Sequence, residues 1–377
     1  MALTVIIFLI IVYFYGLVIF IFSNEIGKES GISGDFLENP RPVSVIVPFR
    51  NEAENLPFIL NDLAAQSYPD GFWEVIFVND HSEDASSAKL ESLLKTKVVE
   101  GRDFRFLSLP PGRSGKKAAL SHGIENAKNN WIIQLDADCR VGHRFIASHI
   151  SFLENNPADF VAGVVTTGSG SGNFLEIFER LDMLSLAGSG AGSFSLGRPM
   201  MCSGANLSYS RELYMETRSF DPVTVTASGD DMFMMIGARK LGRTFSYTVS
   251  RESIVKTGPI RDLRTFIAQR IRWGSKTSRY GMADIQFLAI LVSLTNLCIF
   301  LLPLFILLYT GWWPWLAGGW FFKTLADFML LYRITGVTGQ RSDLRLFIPV
   351  SLVYYPVFLV TLAGAILVKP VWKRPVK

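Results

Sequence analysis

The sequence predicts an α/β domain built on a mostly parallel sheet and flanked by transmembrane helices. Short apolar runs recur from residue 40 to about residue 165, each followed by a polar loop and most by a helical pattern. Strands covered by helices on both faces read as such near-continuous apolar runs. Three uncharged stretches, 1–22, 285–310 and 346–368, lie outside that region. One run, 131–135, ends abruptly in Asp136, Ala137 and Asp138. A strand there delivers two carboxylates to its C-terminal edge, where open α/β sheets bind ligands.

Composition agrees with a membrane protein. Hydrophobic residues make up 49% of the 377 positions, and the mean hydropathy is +0.28, high for a soluble chain of this length. Residues 1–22 can span roughly 30 Å of hydrocarbon as a helix. Without a basic start or a small-residue cleavage site, they read as a retained anchor rather than a leader. Segment 312–331 is interrupted by Lys323 and Asp327, although its WWPW start suits a bilayer interface. The net charge of +4 is spread along the chain or placed beside apolar segments, which argues against nucleic acid as a partner. Cys139, Cys202 and Cys298 are too scattered for a zinc site or a disulfide framework, and the four histidines, His81, His122, His143 and His149, have no metalloprotease spacing.

Taken in order, the first strand is 43–47, stopped by Pro48, with a helix from about 53 to 66. Strand 74–78 follows, then a loop with Ser82 as a candidate N-cap for a helix to about Leu94. Strand 104–109 leads through PPGRSG into a helix near Lys116, and 131–135 is the fourth strand. Further on, 160–165 reads as a strand and 174–186 as a helix, with the following GSGAGSFSLG as a mobile substrate loop. CSGANLSYSRELY reads as turn, strand and helix start. In SGDDMFMMIGARKLG, Ser228 or Asp230 can cap a helix running to Lys240, with Gly242 as its stop. No phosphate-loop or dinucleotide glycine fingerprint appears, against a nucleoside triphosphatase or an NAD enzyme.

Three places can carry chemistry. Asp136 and Asp138 suit a hard cation, Mg2+ or Mn2+, that leaves positions open for phosphates; a solvated turn is the bland alternative. Asp230 and Asp231 sit at a helix N-terminus, where negative charge is favourable; capping explains one, and the other is a candidate general base. In RDLRTFIAQRIRWGSKTSRYG, Leu263, Phe266, Ile267 and Ile271 form an apolar face among arginines. That pattern fits an interfacial helix on lipid phosphates, or a guanidinium that grips a diphosphate beside Trp273.

The ordered set VIVPFRNE, FVNDHSED, SGKKAAL, LDADC, CSGANLSYSRELY, SGDD and QRIRW resembles the membrane-bound branch of family 2 glycosyltransferases over roughly residues 40 to 280. The resemblance implies a GT-A nucleotide-sugar-binding fold, inversion at the anomeric carbon and a metal-binding DxD at Asp136 and Asp138. It implies donor contacts from Glu52, Asp80, Lys116 and Asp136, and a base role for Asp231 beside Asp230. Gln269, Arg272 and Trp273 meet the family's Q-x-x-R-W signature. Two departures are an Asp for the family's Glu at 230, and Ser121 where its GKxxALN pattern has Asn.

The expected organisation is an anchor at 1–23, a catalytic domain at 40–260, an interfacial helix at 261–283, a membrane region of two to three spans at 284–368 and a basic tail at 369–377. The expected reaction is transfer of a sugar from a nucleoside diphosphate sugar, a UDP-sugar by preference, to a hydroxyl of a membrane lipid or lipid-linked acceptor. A processive polysaccharide synthase, completed by a membrane-protein partner, is the alternative enzyme; a non-catalytic nucleotide-sugar sensor or assembly scaffold is the alternative without chemistry. Localisation in the inner (plasma) membrane with a cytoplasmic catalytic domain follows from the donor. Topology carries a conflict: three C-terminal spans would leave Lys369, Lys373, Arg374 and Lys377 outside, against the positive-inside rule. Either the tail is external or one apolar segment bends back, and Pro349 and Pro356 make the last stretch the better candidate for that irregularity.

Overall fold

A computed structural model describes residues 2–28, 40–168, 172–220 and 229–367. The strands are β1 Val43–Phe49, β2 Trp73–Asn79, β3 Phe104–Ser108, β4 Trp131–Gln134, β5 Cys139–Arg140, β6 Phe160–Gly163, β7 Val165–Thr167, β8 Leu207–Ser210, β9 Phe245–Thr248 and β10 Val255–Thr257. The helices are α1 Ala2–Glu25, α2 Leu56–Ala64, α3 Ser86–Leu93, α4 Lys116–Glu125, α5 Phe145–Asn155, α6 Phe174–Ser195 and α7 Arg211–Thr217. They continue as α8 Asp230–Lys240, α9 Leu263–Gly274, α10 Ala283–Phe300, α11 Leu302–Leu308, α12 Trp313–Thr338 and α13 Phe347–Leu367. Two compact units result: Gly27–Gly168 with Phe194–Gly258, and Met1–Ile26 with Ser169–Ser193 and Pro259–Lys377.

The first unit is the α/β domain. Its main sheet runs β3-β2-β1-β4-β8-β6-β9. β1 pairs in parallel with β2 and β4, and β2 with β3, whereas β8 is antiparallel to both its neighbours. Every residue of β1 and β2 is buried, as expected for parallel strands with both faces covered. The register aligns Phe49 with Asn79 and Ile46 with Gln134, so β1, β2 and β4 end on one edge. The reversed β8 starts there, with Leu207 opposite Gln134.

A smaller sheet, β5-β10-β7, completes the unit, and Asn206 ties it to the main one. Asn206 Nδ2 donates to the carbonyls of Val164 (2.9 Å) and Ser253 (2.8 Å), while Oδ1 meets His149 Nε2 at 3.0 Å. The other ring nitrogen of His149 lies 3.3 Å from Ser208 Oγ, and the imidazole is fully buried. Burial lowers its pKa to about 4 against a weaker upward pull from Asn206.

The second unit holds the apolar helices. Among the described residues, three segments are long and apolar enough to cross a membrane: Ala2–Glu25, Ala283–Phe300 and Arg341–Leu367. α1 and α12 run in the same direction: Gly319 lies against Leu9, Gly16 against Phe322, and Asn24 near Arg333. A Cβ on Gly16 would fall 2.4 Å from the Phe322 ring, so glycine is what allows this approach. Lys323 and Asp327 do not break α12. They pair one turn apart at 2.5 Å; Tyr15 donates to Asp327 at 2.8 Å and Lys323 donates to Tyr355 Oη at 3.4 Å.

Several sequence expectations are corrected. GSGAGSFSLG is not a mobile loop: most of it belongs to α6, because its small residues let the helix pack closely, as at Gly188 against Leu330 and Ile26. The run 160–165 splits at Val164 into strands of different sheets. α3 starts after Ala85, and Ser82 instead accepts the Asn51 N–H at 3.0 Å. The apolar stretch 285–310 breaks at Leu301, with a proline opening α11. Ser228 and the basic tail lie outside the described residues.

Candidate active site

The edge where β1, β2 and β4 end collects seven of the expected site residues. Beyond β1, Asn51 adopts φ 56°, and its side chain accepts the Glu83 N–H at 2.8 Å; the backbone then delivers Glu52, whose carboxylate accepts from Asn55 Nδ2 at 2.7 Å. Beyond β2, Asp80 is buried and takes the Gly115 N–H on both oxygens, at 2.9 and 3.0 Å. Gly115 has φ 94°, a conformation open to glycine. It places Lys116 at the start of α4.

Lys116 Nζ lies 2.5 Å from Asp136 Oδ1. Burial works against its charge, but Asp136, Asp230 and Asp231 together outweigh burial and hold the ammonium pKa above its ordinary value. Asp136 is pushed up to about 6: burial and the Asp138 and Asp230 charges raise it, and Lys116 only partly offsets them. Lys116 at the start of α4, Asp136 beyond β4, and Asp230 and Asp231 in the first turn of α8 thus share one electrostatic site, with three carboxylates against one cation.

Asp231 is held by backbone. Its Oδ2 accepts the Gly204 N–H at 2.9 Å and its Oδ1 accepts the Met232 N–H at 2.8 Å. Burial and the neighbouring Asp230 nevertheless raise its pKa, against Lys116 and these two N–H groups. Gly229, at φ 101°, opens α8 and brings both acids to its first turn. Behind them Tyr209 Oη donates to Gln134 Oε1 at 2.8 Å, and Gln134 Nε2 donates to the Gly204 carbonyl at 2.8 Å.

Asp138 is exposed, and its Oδ1 accepts a weak contact from Cys139 Sγ at 3.7 Å. Among the described residues no three His, Cys, Asp or Glu side chains gather as a closed metal cage would need, and Asp136 is met by an ammonium. The two carboxylates therefore fit only a cation that draws the rest of its shell from a substrate, as Mg2+ does with phosphates.

Gln269, Arg272 and Trp273 fall in the other unit, on α9. Gln269 Oε1 accepts from Arg270, whose guanidinium lies between the rings of Phe266 (4.4 Å) and Trp273 (4.2 Å) and pairs with Asp182 at 2.5 Å.

Sequence reasoning missed Gln134, Tyr209 and Gly204. A polar Gln as the last residue of an otherwise apolar strand was the available signal for the first.

Residues 44–218 match the family model Glycosyl transferase family 2. The chain carries a family 2 glycosyltransferase domain. Glycosyltransferase AglE of Haloferax volcanii is 29% identical over 123 residues, 33% of this chain and 39% of that protein. The poly-beta-1,6-N-acetyl-D-glucosamine synthase of Staphylococcus aureus (strain COL) is 30% identical over 164 residues, 42% and 36% of the two chains. The chain thus spans less than two fifths of the length of either curated relative. Among solved structures, the mannosyltransferase PcManGT from Pyrobaculum calidifontis, in complex with GDP-Man and Mn2+, superposes with a TM-score of 0.57 at 16% identity, covering 96% of each chain. The family 2 domain has a GT-A-like α/β fold.

Proposed function

We propose that the chain is an inverting, metal-dependent glycosyltransferase that moves a sugar from a nucleoside diphosphate sugar, a UDP-sugar by preference, to a hydroxyl of a membrane lipid or lipid-linked acceptor. The observation that carries this reading is Asp231, held by two backbone N–H groups with its pKa raised, beside Lys116 and Asp136 at one sheet edge.

The acceptor oxygen forms a bond to the anomeric carbon as the bond from that carbon to the diphosphate breaks. The electron pair leaves on the diphosphate oxygen, and the hydroxyl proton passes to Asp231. A carboxylate with a raised pKa is a better base than an ordinary one, and a single displacement needs no second nucleophile. Lys116 meets the leaving charge as a fixed cation. Glu52 and Asp80 are proposed to contact the nucleotide, and Gln269, Arg272 and Trp273 the diphosphate and acceptor. Mg2+ or Mn2+ on Asp136 and Asp138 would neutralise the diphosphate. The membrane acceptor is supported by the apolar helices, and placement in the inner (plasma) membrane with the domain cytoplasmic by the donor class and the arginines after α12.

The test is Asp231→Asn, which keeps size and removes proton affinity. Donor binding by calorimetry should be unchanged while transfer falls roughly 10²-fold or more. Full transfer by a folded variant would refute the base assignment. Mass separation of products formed on membrane lipid extract distinguishes one added sugar from the ladder of a processive synthase.

A further inference from the structure

The last residue of β4 is polar where the rest of the strand is apolar, and its side chain is turned inward. Gln134 is 1% exposed and Tyr209, on the neighbouring β8, not at all. The two strands are antiparallel with Ile132 opposite Tyr209, so Ile132, Gln134 and Tyr209 share one face of the sheet. Tyr209 Oη donates to Gln134 Oε1 at 2.8 Å, and its ring stacks on Tyr214 with 13° between the planes. Burial, with Tyr214 and Asp230 adding to it, raises the phenol pKa well above the ordinary value, so the hydroxyl keeps its proton. A leucine at 134 and a phenylalanine at 209 would fill the same space without burying an amide and a hydroxyl. What they would lose is a direction.

An amide has a donor end and an acceptor end. With Oε1 taken by Tyr209, Nε2 faces the acids: its hydrogens reach the Gly204 carbonyl at 2.8 Å and Asp230 Oδ2 at 3.5 Å. Reversed, the amide would set its oxygen against a carbonyl and a carboxylate. Gly204 in turn lies between Gln134 and Asp231. A Cβ on it would fall 3.1 Å from Gln134 Nε2 and 3.4 Å from Asp231 Oδ2, and its N–H donates to that Oδ2 at 2.9 Å. The Met232 N–H, on the other oxygen at 2.8 Å, belongs to the next residue and follows Asp231 wherever it goes. Gly204 grips the carboxylate from a different segment of the chain.

We infer that Gln134 and Tyr209 are positioning residues: Tyr209 fixes which end of the Gln134 amide faces the acids, Gln134 holds the Gly204 carbonyl, and the Gly204 N–H sets the rotation of the Asp231 carboxylate. Both side chains act through Gly204, and the inference rests on the base role proposed for Asp231. Displacing a catalytic group by about 1 Å can cost roughly 10²-fold in rate. Nucleotide binding, which falls to other side chains, is left intact when this grip is lost.

The test uses the full chain and three variants: Tyr209→Phe, which removes only the hydroxyl, Gln134→Met, which keeps the length and removes both ends of the amide, and the two together. Hydrogen exchange resolved to the Gly204 amide needs no donor. It should be about three- to tenfold faster in Gln134→Met than in the parent, with Ile132 and Ser208 unchanged. Transfer is then measured from a panel of UDP- and GDP-sugars to membrane lipid extract, with binding sites counted by calorimetry with UDP and GDP. Per binding site, kcat should fall about tenfold or more while the donor KM stays within about twofold; loss of folded protein alone would lower the site count and leave kcat per site unchanged. Adding Tyr209→Phe to Gln134→Met should change either readout by no more than about twofold, because the hydroxyl acts through the amide. Unchanged Gly204 exchange, or fully additive effects, would overturn the inference. Loss of transfer in Asp231→Asn but not in Gln134→Met would overturn the positioning role alone, whereas full transfer by Asp231→Asn would overturn the base reading beneath it.

Discussion

His149 makes the α/β unit acid-sensitive by an amount that can be worked out. The imidazole is buried and neutral, with a pKa lowered to about 4 from an ordinary 6.5. The unfolded chain therefore binds a proton between those values that the folded chain refuses. Stability is complete above about pH 6.5 and falls as pH drops toward 4. Between pH 7.5 and pH 5 the difference is about 2 kcal/mol, or about thirty-fold in the opening equilibrium. His149→Gln keeps a donor and an acceptor toward Asn206 and Ser208 but cannot titrate. Hydrogen exchange of peptides covering α5 and β8, corrected for intrinsic rate, reads the opening directly. Parent exchange should speed up by about thirty-fold across that pH interval, and the variant should show almost none of the His149 contribution. Equal acid acceleration in parent and variant would refute the reasoning.

Three further outcomes are expected. Asp138→Ala should weaken metal-dependent UDP binding and abolish turnover; unchanged metal and nucleotide affinity by calorimetry would remove Asp138 from the metal site. Arg270→Lys keeps the charge facing Asp182 and loses the flat stack between Phe266 and Trp273, so tryptophan fluorescence should shift while the chain stays folded; an unaltered spectrum would mean the stack does not position Trp273. Gly163→Ala places a Cβ 2.5 Å from Asn206 Nδ2 and should cost about 1–3 kcal/mol in chemical denaturation, because Asn206 holds two sheets together.

The buried parallel strands were legible because each is an apolar run closed by a polar loop, and that pattern alone locates the ends of β1, β2 and β4. Asp136, Asp230 and Asp231 were legible for the same reason: charge next to a buried element has few places to go. What escaped depends on partners far away in sequence. Val164 looks like any strand residue, yet its carbonyl accepts from both the Asn206 side chain and the Val255 N–H, and one expected strand splits into two there. The Gly/Ser-rich end of α6 looked like a loop because small residues carry no periodic signal, although close helix approach is what they permit. The pairing of Lys116 with Asp136 likewise needs the fold, since only parallel alignment of β1, β2 and β4 brings α4 to that edge.

The contact between α1 and α12 bears on how the chain is made. α1 leaves the ribosome before α12, which follows about three hundred residues later in synthesis, once the whole α/β unit has been produced. An α12 placed in a bilayer on its own would carry Lys323 and Asp327, an ion pair whose insertion costs several kcal/mol. Tyr15 is already waiting on α1 to accept that load through its hydroxyl. α1 is thus more than a tether. Exchanging it for an unrelated apolar anchor of equal length would leave the chain attached to the membrane while depriving α12 of its docking partner, and such chimaeras should be made, inserted poorly and degraded.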